Sequence, residues 1–376
     1  MKKICYVVTI PSTIRSFFIP QLKYLSENGF DVTVICSPDE KLQEELGNKV
    51  CYIPVDIPRG ISVLGSIHAT KNLLKIFKKE NFDLIQYSTP NAALYSAIAA
   101  KAAKCSIRNY HLMGFRYLGA DGLGRNVLKS IERLTCILST SIECVSKSNL
   151  ELGTKEKIFS KDKVTVVWNG STGGVDLSKF TFEKRNIWRK EIREENNISD
   201  NEFVFGFVGR ITKDKGINEL LEAYFRLKQS SKLLIVGNQE GVDTINQRLW
   251  KKAVNDDNVI ILDSKQEIEK YYAAMDILIL PSYREGFGNV VIEAGAVGTP
   301  AIVTNIAGPI DAIEYSKTGI TVEKCDFVDL AEKMQFVIDN SPFESSEYCS
   351  SYVRNHFDDM KLNEYILKRK QLLLND

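Results

Sequence analysis

Short apolar runs alternate with helical patterns along most of this chain, and the alternation occurs in two separate series. An alternation of strands and helices predicts a parallel sheet with right-handed crossovers, because each helix returns the chain to the same edge of the sheet. The first series places apolar runs at 4–10, 31–36, 50–55, 83–87, 106–110 and 164–167, with helical patterns at 17–27, 65–79, 91–104 and 125–139. The chain is therefore predicted to begin with a doubly wound α/β domain.

A second series of the same kind follows a stretch that breaks the pattern. Residues 168–199 contain three glycines and a charge-rich segment, which is typical of a connection between domains. The second series has apolar runs at 203–208, 232–236, 259–262, 277–280 and 300–303. We therefore predict an α/β fold with doubly wound domains at 1–180 and 201–345, a linker at 181–200 and terminal helices at 346–376. Two such domains place a ligand cleft between them, at the carboxyl ends of their strands.

The charges of the chain nearly cancel, with 49 lysines and arginines against 48 aspartates and glutamates. No global feature therefore indicates a nucleic acid partner, and we predict none. The three histidines have no metal-ligand spacing, so we predict no metal site. The eight cysteines form no C-x-x-C pair, and most lie in apolar runs, which favours free thiols in a reducing cytoplasm over a set of disulfides.

The amino terminus, Met1-Lys2-Lys3 followed by the apolar run at 4–10, imitates a secretory signal peptide. The run ends at Pro11 without a small-residue cleavage site, so we interpret it as the first strand. No apolar run approaches the roughly 20 residues that are needed to span a bilayer. We therefore expect a cytoplasmic protein.

Two carboxylates, Glu285 and Glu293, stand eight residues apart around a glycine turn. The apolar run before them, 277–280, is typical of a buried parallel strand, and helical spacing begins after Gly288. A strand-to-helix turn of this kind directs backbone N–H groups and the positive end of the helix dipole at one point, which suits the phosphates of a ligand. Both carboxylates could then reach hydroxyls of one polar ligand.

A second candidate site lies at residues 209–216, directly after the strand predicted at 203–208. Arg210 and Lys215 stand five residues apart there, at a strand end that faces the predicted cleft. Two cations so placed can clamp a diphosphate and offset the charge that develops on a leaving nucleotide. A solvated, lysine-rich loop is the alternative interpretation.

His111 directly follows the strand predicted at 106–110. A histidine in such a position is more often structural than catalytic, so the residue pattern alone leaves both interpretations open. His68 lies in a helical pattern and His356 near the terminus, and we interpret both as structural.

Residues 285–294, Glu-Gly-Phe-Gly-Asn-Val-Val-Ile-Glu-Ala, resemble the E-x7-E motif of retaining glycosyltransferases of the GT-B fold, most closely those of family 4. Gly-Arg and Lys-Gly at the two ends of 209–216 resemble a second signature of that family. The absence of a Gly-Gly pair after the first strand, and Gly308-Pro309 with Asp311, resemble a branch that builds bacterial capsule and surface polysaccharides. The resemblance implies two Rossmann-like domains with a cleft between them and C-terminal helices that pack back towards the first domain.

The resemblance also implies a reaction. Such enzymes transfer a hexosyl or N-acetylhexosaminyl group from a nucleotide diphosphate sugar and retain the configuration at the anomeric carbon. UDP is the nucleotide that the resemblance favours, ahead of GDP and TDP. The implied acceptor is a saccharide, carried on a lipid of the undecaprenyl type. The first domain would face this acceptor, the second would bind the nucleotide sugar, and no metal or other cofactor is required.

The motifs of the family imply roles for individual residues. Arg210 and Lys215 would bind the diphosphate, Glu285 the hydroxyls of the donor sugar, and Glu293 the ribose. His111 matches a histidine of the family's first domain that meets the donor sugar across the cleft. We therefore predict His111, Arg210, Lys215 and Glu285 as catalytic residues. The turn of the E-x7-E motif completes the predicted donor site with Gly286, Phe287, Gly288 and Asn289.

Two segments of mixed aromatic and basic character occur in the first domain. Residues 115–125 are predicted to form a flexible loop beside His111, which either folds over an acceptor or is plain surface. Together with residues 15–19 it could instead touch a membrane, because family members often extend lipid-linked saccharides. Peripheral contact with the cytoplasmic face of the membrane is therefore one expectation.

Other protein classes fit the sequence less well. A dinucleotide-dependent dehydrogenase requires G-x-G-x-x-G after an early strand, and no strand end of this chain supplies it. A P-loop NTPase is excluded by the absence of G-x4-G-K-[ST]. A sugar-nucleotide epimerase of similar fold, or a sugar-nucleotide binder without catalytic activity, stays open as the alternative.

Overall fold

The computed structural model describes residues 1–60 and 62–375, and the chain divides into two compact units. Unit 1 comprises Met1–Gly173 and Met360–Asp376, and unit 2 comprises Gly174–Asp359. Each unit has its own parallel sheet with helices packed against it. The predicted α/β fold with two doubly wound domains is therefore confirmed.

Unit 1 contains a seven-stranded parallel sheet within the described residues: β1 (Lys2–Val7), β2 (Phe30–Cys36), β3 (Val50–Pro54), β4 (Leu84–Tyr87), β5 (Ile107–Leu112), β6 (Ser141–Cys144) and β7 (Val164–Val166). Their order across the sheet is β3-β2-β1-β4-β5-β6-β7, so the winding reverses between β1 and β4. Ligands of doubly wound sheets bind beside such a reversal, at the carboxyl ends of the strands.

The helices of unit 1 that precede its boundary at Gly173 are α1 (Pro11–Phe17), α2 (Ile19–Glu27), α3 (Leu42–Leu46), α4 (Val63–Glu80), α5 (Pro90–Ala102), α6 (Gly122–Leu138) and α7 (Lys147–Lys155). One buried apolar cluster joins the sheet to α4, α5 and α6. A second cluster joins the sheet to α1, α2 and the last helix of the chain. Both faces of the sheet are therefore buried, as the continuous apolar strands predict.

Unit 2 contains a six-stranded parallel sheet within the described residues: β8 (Val204–Val208), β9 (Lys232–Val236), β10 (Val259–Leu262), β11 (Ile277–Leu280), β12 (Ala301–Thr304) and β13 (Gly319–Val322). The order β10-β9-β8-β11-β12-β13 reverses between β8 and β11. The helices of unit 2 are α8 (Arg185–Glu195), α9 (Ile217–Tyr224), α10 (Gln247–Val254), α11 (Ile268–Ala274), α12 (Asn289–Ala296), α13 (Phe327–Asn340) and α14 (Ser346–His356).

The segment predicted as a linker, 181–200, is instead a structural part of unit 2. Its helix α8 packs on α11, and the chain passes between the units at Gly173 and Gly174. Several of the charged side chains that suggested a linker have partners within the unit. Arg189 and Arg193 donate to the two carboxylate oxygens of Asp276, at 2.6 and 2.8 Å. Burial of these pairs explains why a charge-rich sequence forms part of a packed domain.

The terminal helices also differ from their prediction. The helix α14 belongs to unit 2, where it packs on α12. The last helix, α15 (Asp359–Asn375), packs through Leu362 and Ile366 in the apolar cluster of unit 1. Unit 1 is therefore built from two separated parts of the chain. In the described part of the chain, no helix is both long enough and apolar enough to cross a bilayer.

Glu132 is a buried carboxyl group on the inward face of α6. It accepts a hydrogen bond of 2.7 Å from the hydroxyl of Tyr110, and burial raises its pKa from 4.5 to about 7. Because the folded state disfavours the ionised form of Glu132, the neutral form stabilises the fold. This stabilisation is complete at pH values below the pKa that Glu132 has in the unfolded chain. It is lost as the pH rises through 7.

We expect Glu132→Gln to raise the free energy of unfolding by about 2 to 3 kcal/mol near pH 8.5, because glutamine keeps the acceptor for Tyr110 and removes the buried charge. The gain should vanish near pH 4.5, where wild type is also neutral. Urea unfolding at both pH values measures the difference. Glu151→Gln, on the exposed surface of α7, is the matched control. An equal effect of both substitutions at high pH would contradict the prediction.

Candidate functional site

The carboxyl edge of the unit 2 sheet collects the residues that the sequence predicts for donor binding. The strand β8 ends at Val208, and the loop after it carries Arg210 and Lys215. The strand β11 ends at Leu280, and the segment after it carries Glu285 before α12 begins. Because β8 and β11 are neighbours in the sheet, the two predicted motifs lie side by side.

An ion pair joins these two motifs. The Nζ atom of Lys215 lies 2.5 Å from Oε1 of Glu285, and the two side chains are only 20% and 14% exposed. Lys215 is held in place by the turn that precedes α9. Gly216 has φ +75°, and a Cβ atom on it would lie 2.1 Å from the carbonyl oxygen of Pro281, so only glycine allows this approach. The loop after β8 is thereby fixed against the end of β11.

Arg210 occupies the same edge but is more exposed. Its side chain is 63% exposed, and its Nη2 atom lies 3.7 Å from Oδ2 of Asp214. The same carboxylate oxygen accepts a hydrogen bond of 3.2 Å from Arg284. Lys215, Arg210 and Arg284 thus place three cations around the carboxyl ends of β8 and β11. Two of them share Asp214, which leaves a net positive charge at this edge.

Asp214 is a residue of this site that the sequence analysis did not identify. Burial alone would raise the pKa of its carboxyl group. The hydroxyl of Thr212, which donates a hydrogen bond of 2.5 Å, and the surrounding cations outweigh burial and lower the pKa. Asp214 therefore stays ionised and orients Arg210 and Arg284. In the sequence, its position between Arg210 and Lys215 is the feature that could have identified it as a site residue.

The turn from Gly286 to Asn289 forms the amino end of α12. Gly288, with φ +96°, holds the N-cap position of the helix. Gly308 lies against this turn so closely that a Cβ atom on it would be 2.8 Å from the carbonyl oxygen of Gly286. The backbone of Gly308 therefore lies close to the amino end of α12, where the helix dipole favours an anion.

Phe287 does not project into this turn. Its side chain is buried and packs edge to face on Phe357, with 5.3 Å between the ring centroids. The predicted contribution of Phe287 to a donor site is thus restricted to its backbone. The ring anchors the turn to the core of unit 2.

Glu293 lies one turn inside α12 and accepts a hydrogen bond of 2.8 Å from the hydroxyl of Tyr272. Burial raises the pKa of Glu293, while the hydrogen bond from Tyr272 and the charge of Lys179 act in the opposite direction. Tyr272 belongs to α11, and the sequence analysis did not identify it. The hydrogen bond from Tyr272 therefore holds the carboxylate of Glu293 in a defined orientation.

His111 lies in unit 1, near the carboxyl end of β5. The imidazole is buried, packs edge to face on Phe18, and has its Nδ1 atom 4.0 Å from Oε2 of Glu143. Burial lowers the pKa of His111, and Glu143 opposes this only in part, so the ring is neutral near pH 7. Neither ring nitrogen has a hydrogen-bond partner among the described residues.

Glu143 in turn is held by the last helix. Lys370 donates to both of its carboxylate oxygens, at 3.0 and 2.8 Å, and to Gln86 at 2.6 Å. Burial by itself would raise the pKa of Glu143, but Lys370 and His111 hold it well below the usual range. A cavity of about 10 Å³ beside this network is large enough for roughly one water molecule. His111 therefore lies in a polar site that is built around a buried ion pair.

The segments predicted as an acceptor loop and a membrane contact are partly packed into unit 1. Within 115–125, Tyr117 is fully buried and α6 begins at Gly122, so the predicted flexible loop is wrong. Within 15–19, Arg15 pairs with Asp39 and Glu45 at 2.6 Å each, and Phe18 is buried. Leu123 of the first segment, in contrast, is 84% exposed, so contact of this surface with a membrane stays a prediction.

Groups of three or more histidine, cysteine, aspartate or glutamate side chains that could hold a metal ion do not occur among residues 1–60 and 62–375. The donor set at the carboxyl edge of unit 2 is cationic, with Lys215, Arg210 and Arg284 in place of a carboxylate cluster. Its chemistry suits an anionic ligand.

Comparison with protein families gives two matches, one to each unit. Residues 189–356 match the model described as glycosyl transferases group 1. Residues 21–172 match the model described as glycosyltransferase family 4. The first match includes Arg210, Lys215, Glu285 and Glu293, and the second includes His111.

Curated relatives match along most of the chain. A capsular polysaccharide biosynthesis glycosyltransferase of Staphylococcus aureus, CapM, is 30% identical over 342 residues, which cover 90% of this chain and 88% of the relative. A UDP-Gal:alpha-D-GlcNAc-diphosphoundecaprenol alpha-1,3-galactosyltransferase of Escherichia coli is 25% identical over 373 residues, which cover 96% of this chain and 94% of the relative.

A solved structure supports the fold. The Anabaena protein Alr3699/HepE, crystallised in complex with UDP, superposes with a TM-score of 0.78 at 18% identity and covers 99% of this chain and 100% of its own. The predicted GT-B fold is therefore confirmed.

Proposed function

This chain belongs to glycosyltransferase family 4, and on that premise we propose that it transfers a sugar from a UDP-sugar to a lipid-linked saccharide, with retention of the anomeric configuration. The group transferred would be a hexosyl or N-acetylhexosaminyl group, and the pathway the assembly of a bacterial surface polysaccharide. The observation that carries the proposal is the ion pair of Lys215 and Glu285 beside the amino end of α12. It places a cation, a carboxylate and a helix dipole at one sheet edge.

The cationic groups suit the diphosphate of the donor. Lys215 and Arg210 follow β8, and the dipole of α12 points its positive end at the same edge. When the bond between the anomeric carbon and the diphosphate oxygen breaks, negative charge grows on the departing UDP. Groups that are already positive at this point stabilise the transition state more than the ground state. We assign this role to Lys215 and Arg210.

The two carboxylates suit the hydroxyls of the donor. Glu293, which Tyr272 orients, would accept hydrogen bonds from the ribose. Glu285, which Lys215 orients, would accept them from the donor sugar. His111 is neutral and can accept or donate at its ring nitrogens, so it would contact a sugar hydroxyl without adding charge. These assignments correspond to the roles that the sequence motifs imply.

A retaining reaction needs the acceptor to attack on the face that the UDP leaves, or a covalent intermediate. We propose the former. The new bond joins the acceptor oxygen to the anomeric carbon, the carbon–phosphate oxygen bond breaks, and the acceptor proton passes to the departing phosphate oxygen. The protein's part is to hold the diphosphate through Lys215 and Arg210 and the sugar through Glu285. No metal or other cofactor has a role in this proposal.

The relatives support the donor and the acceptor classes of the proposal. The Escherichia coli relative is named for UDP-Gal as donor and for a diphosphoundecaprenol-linked acceptor, and it matches this chain over nearly its whole length. The Staphylococcus aureus relative is named for capsular polysaccharide biosynthesis. From these names we propose the same class of acceptor, in the cytoplasm or at the cytoplasmic face of the membrane.

The experiment that tests the proposal combines donor binding with product formation. We expect UDP to raise the melting temperature of the protein more than GDP or TDP, and Glu293→Gln to weaken UDP binding about tenfold, because a charge-assisted hydrogen bond to the ribose is lost. Glu267→Gln, an exposed carboxylate next to α11, is the matched control and should bind UDP as wild type does. Binding can be measured by calorimetry.

Product formation separates a transferase from an epimerase. With a UDP-sugar and a saccharide on a diphosphate lipid, mass spectrometry should detect an acceptor enlarged by one sugar, and NMR should show an α linkage if the donor is α. Conversion of the donor without any change of the acceptor would favour an epimerase. The absence of a shift with every nucleotide at millimolar concentration would refute the proposal.

A further inference from the structure

A long apolar groove lies on unit 1, between α4, α5 and α6. Its volume is about 880 Å³, and side chains from all three helices form its walls. The side chains that carry the argument are aliphatic: Ile67, Leu74, Leu94, Ile98, Val127 and Ile131. Such a volume falls in the range of pockets that bind small molecules.

Several of these aliphatic groups remain in contact with solvent. Ile67 is 49% exposed, Ile98 is 39% exposed and Val127 is 58% exposed. The apolar surface continues on the rim of the groove at Leu64 and Leu123, which are 82% and 84% exposed. A contiguous apolar surface of this kind is unusual on a protein unless it binds a ligand or partner.

The groove opens at the carboxyl edge of the unit 1 sheet. Asn91 follows β4, and Arg116 follows β5, which also carries His111. Since α4, α5 and α6 all begin at this edge, the groove runs away from it along the helices. From Pro90 to Ile98 this is about 12 Å, at 1.5 Å per residue. One end of the groove therefore lies at the sheet edge where a substrate of unit 1 would react.

Of the polar groups that line the groove, Ser62, Asn91 and Arg116 lie at this open end, and Ser66, Thr70 and Lys71 follow along α4. Arg116 donates a hydrogen bond of 3.3 Å to the side-chain oxygen of Asn91, and Ser62 caps the amino end of α4. The amino ends of α4 and α5 add the positive ends of two helix dipoles. The groove thus pairs a cationic mouth with an apolar interior, which matches a ligand that has an anionic head and a hydrocarbon tail.

We propose that this groove binds the isoprenoid chain of a lipid diphosphate, with Arg116 at the diphosphate and the aliphatic walls around the first isoprene units. The inference rests on the proposed function, since the lipid diphosphate is the carrier of the acceptor saccharide. It identifies how unit 1 selects a lipid-linked acceptor over a free saccharide. A single chain fits the groove that Leu94 and Ile98 line, whereas a bilayer would be met by the exposed side chains of Leu64 and Leu123.

The test uses geranylgeranyl diphosphate as the probe, with inorganic diphosphate as the head group alone, on the full-length protein. We expect Ile98→Asn combined with Val127→Asn to raise the Kd for geranylgeranyl diphosphate about tenfold or more, because two apolar contacts with the tail are lost. The Kd for inorganic diphosphate should not change. Arg116→Gln should raise the Kd of both probes, because it removes the charge at the head group.

Leu134→Asn combined with Ile137→Asn provides the matched control. Both residues are exposed on α6, at 43% and 67%, and neither lines the groove. This control should bind geranylgeranyl diphosphate as wild type does. Equal weakening by the groove and control variants would overturn the proposal, as would tight binding in the groove variant. A cooperative thermal unfolding transition, retained in every variant, shows that the protein is folded.

Two further measurements test whether the groove instead contacts a bilayer or a second copy of this chain. The first is flotation with liposomes, in which wild type and the control variant could float equally while the groove variant does not. If geranylgeranyl diphosphate also fails to bind, the face is a bilayer contact and the proposal is overturned. If light scattering shows a dimer that only the groove variant dissociates, with no probe binding, the occupant is a second copy and the proposal is likewise overturned. Binding of geranylgeranyl diphosphate without binding of UDP would support the proposed groove and refute the proposed donor. Binding of UDP without binding of geranylgeranyl diphosphate would support the donor and refute the groove.

Discussion

We expect Lys215→Met to lower kcat by about 100- to 1,000-fold, with a much smaller increase in the Kd for UDP. Lys215 lies where charge develops on the departing diphosphate, and loss of one preorganised group of this kind typically has an effect of this size. The side chain of methionine preserves the packing against the turn that Gly216 allows. Steady-state kinetics with a UDP-sugar, together with calorimetry for UDP, measure both quantities.

Lys213→Met is the matched control, because Lys213 is an exposed cation of the same loop. It should leave kcat within a factor of about two. The substitution of Lys215 also leaves Glu285 without its ion pair, so Glu285→Gln combined with Lys215→Met separates the two effects. If the double variant recovers turnover, the loss reflects an unpaired carboxylate rather than a missing cation, and the assigned role of Lys215 is wrong.

Lys370→Met is expected to lower the free energy of unfolding by about 3 to 5 kcal/mol, because removal of one partner leaves the buried carboxylate of Glu143 uncompensated. Lys370 and Glu143 are each almost fully buried, with side-chain exposures of 1% and 4%. Urea unfolding, followed by fluorescence and by circular dichroism, measures the change. Because the chain has two units, the loss should appear in the transition that includes unit 1.

Lys368 lies on the exposed side of the same helix, so Lys368→Met is the control for a changed charge in α15. We expect it to change the free energy of unfolding by less than about 0.5 kcal/mol. Lys370→Met with Glu143→Gln should recover part of the loss, because the uncompensated charge is removed. A loss no greater than that of Lys368→Met would show that water or Arg369 replaces the lysine.

Most of the fold follows from local patterns. The predicted run at 203–208 and the strand Val204–Val208 differ by one residue, and the other predicted runs match their strands to within three residues at each end. Two strands were not predicted. The strand β6 contains Glu143 in a run of four residues, and β13 begins at Gly319, so neither shows a continuous apolar pattern. Only a partner from α15 makes Glu143 compatible with a buried strand.

The candidate site was predictable where its residues are close in the sequence to a strand end. The pairing of Lys215 with Glu285 follows from the adjacency of β8 and β11, which the two motifs imply. Tyr272 was not predictable, because its contact with Glu293 depends on how α11 packs beside α12. The charge-rich helix α8 was predicted as a linker because a charged pattern does not reveal that Arg193 is buried on Asp276. Long-range pairing of charges is not encoded in a local pattern.

The discontinuous construction of unit 1 has a consequence for synthesis on the ribosome. Unit 2 is one continuous stretch, so it can be completed once Asp359 has emerged, whereas unit 1 lacks α15 until residues 359–375 are made. From Gly173 to Lys370 is 197 residues, and at 5–20 residues per second this takes about 10 to 40 s. During that interval Glu143 has no lysine beside it. The part of the chain that is made first is therefore the last to acquire its finished core.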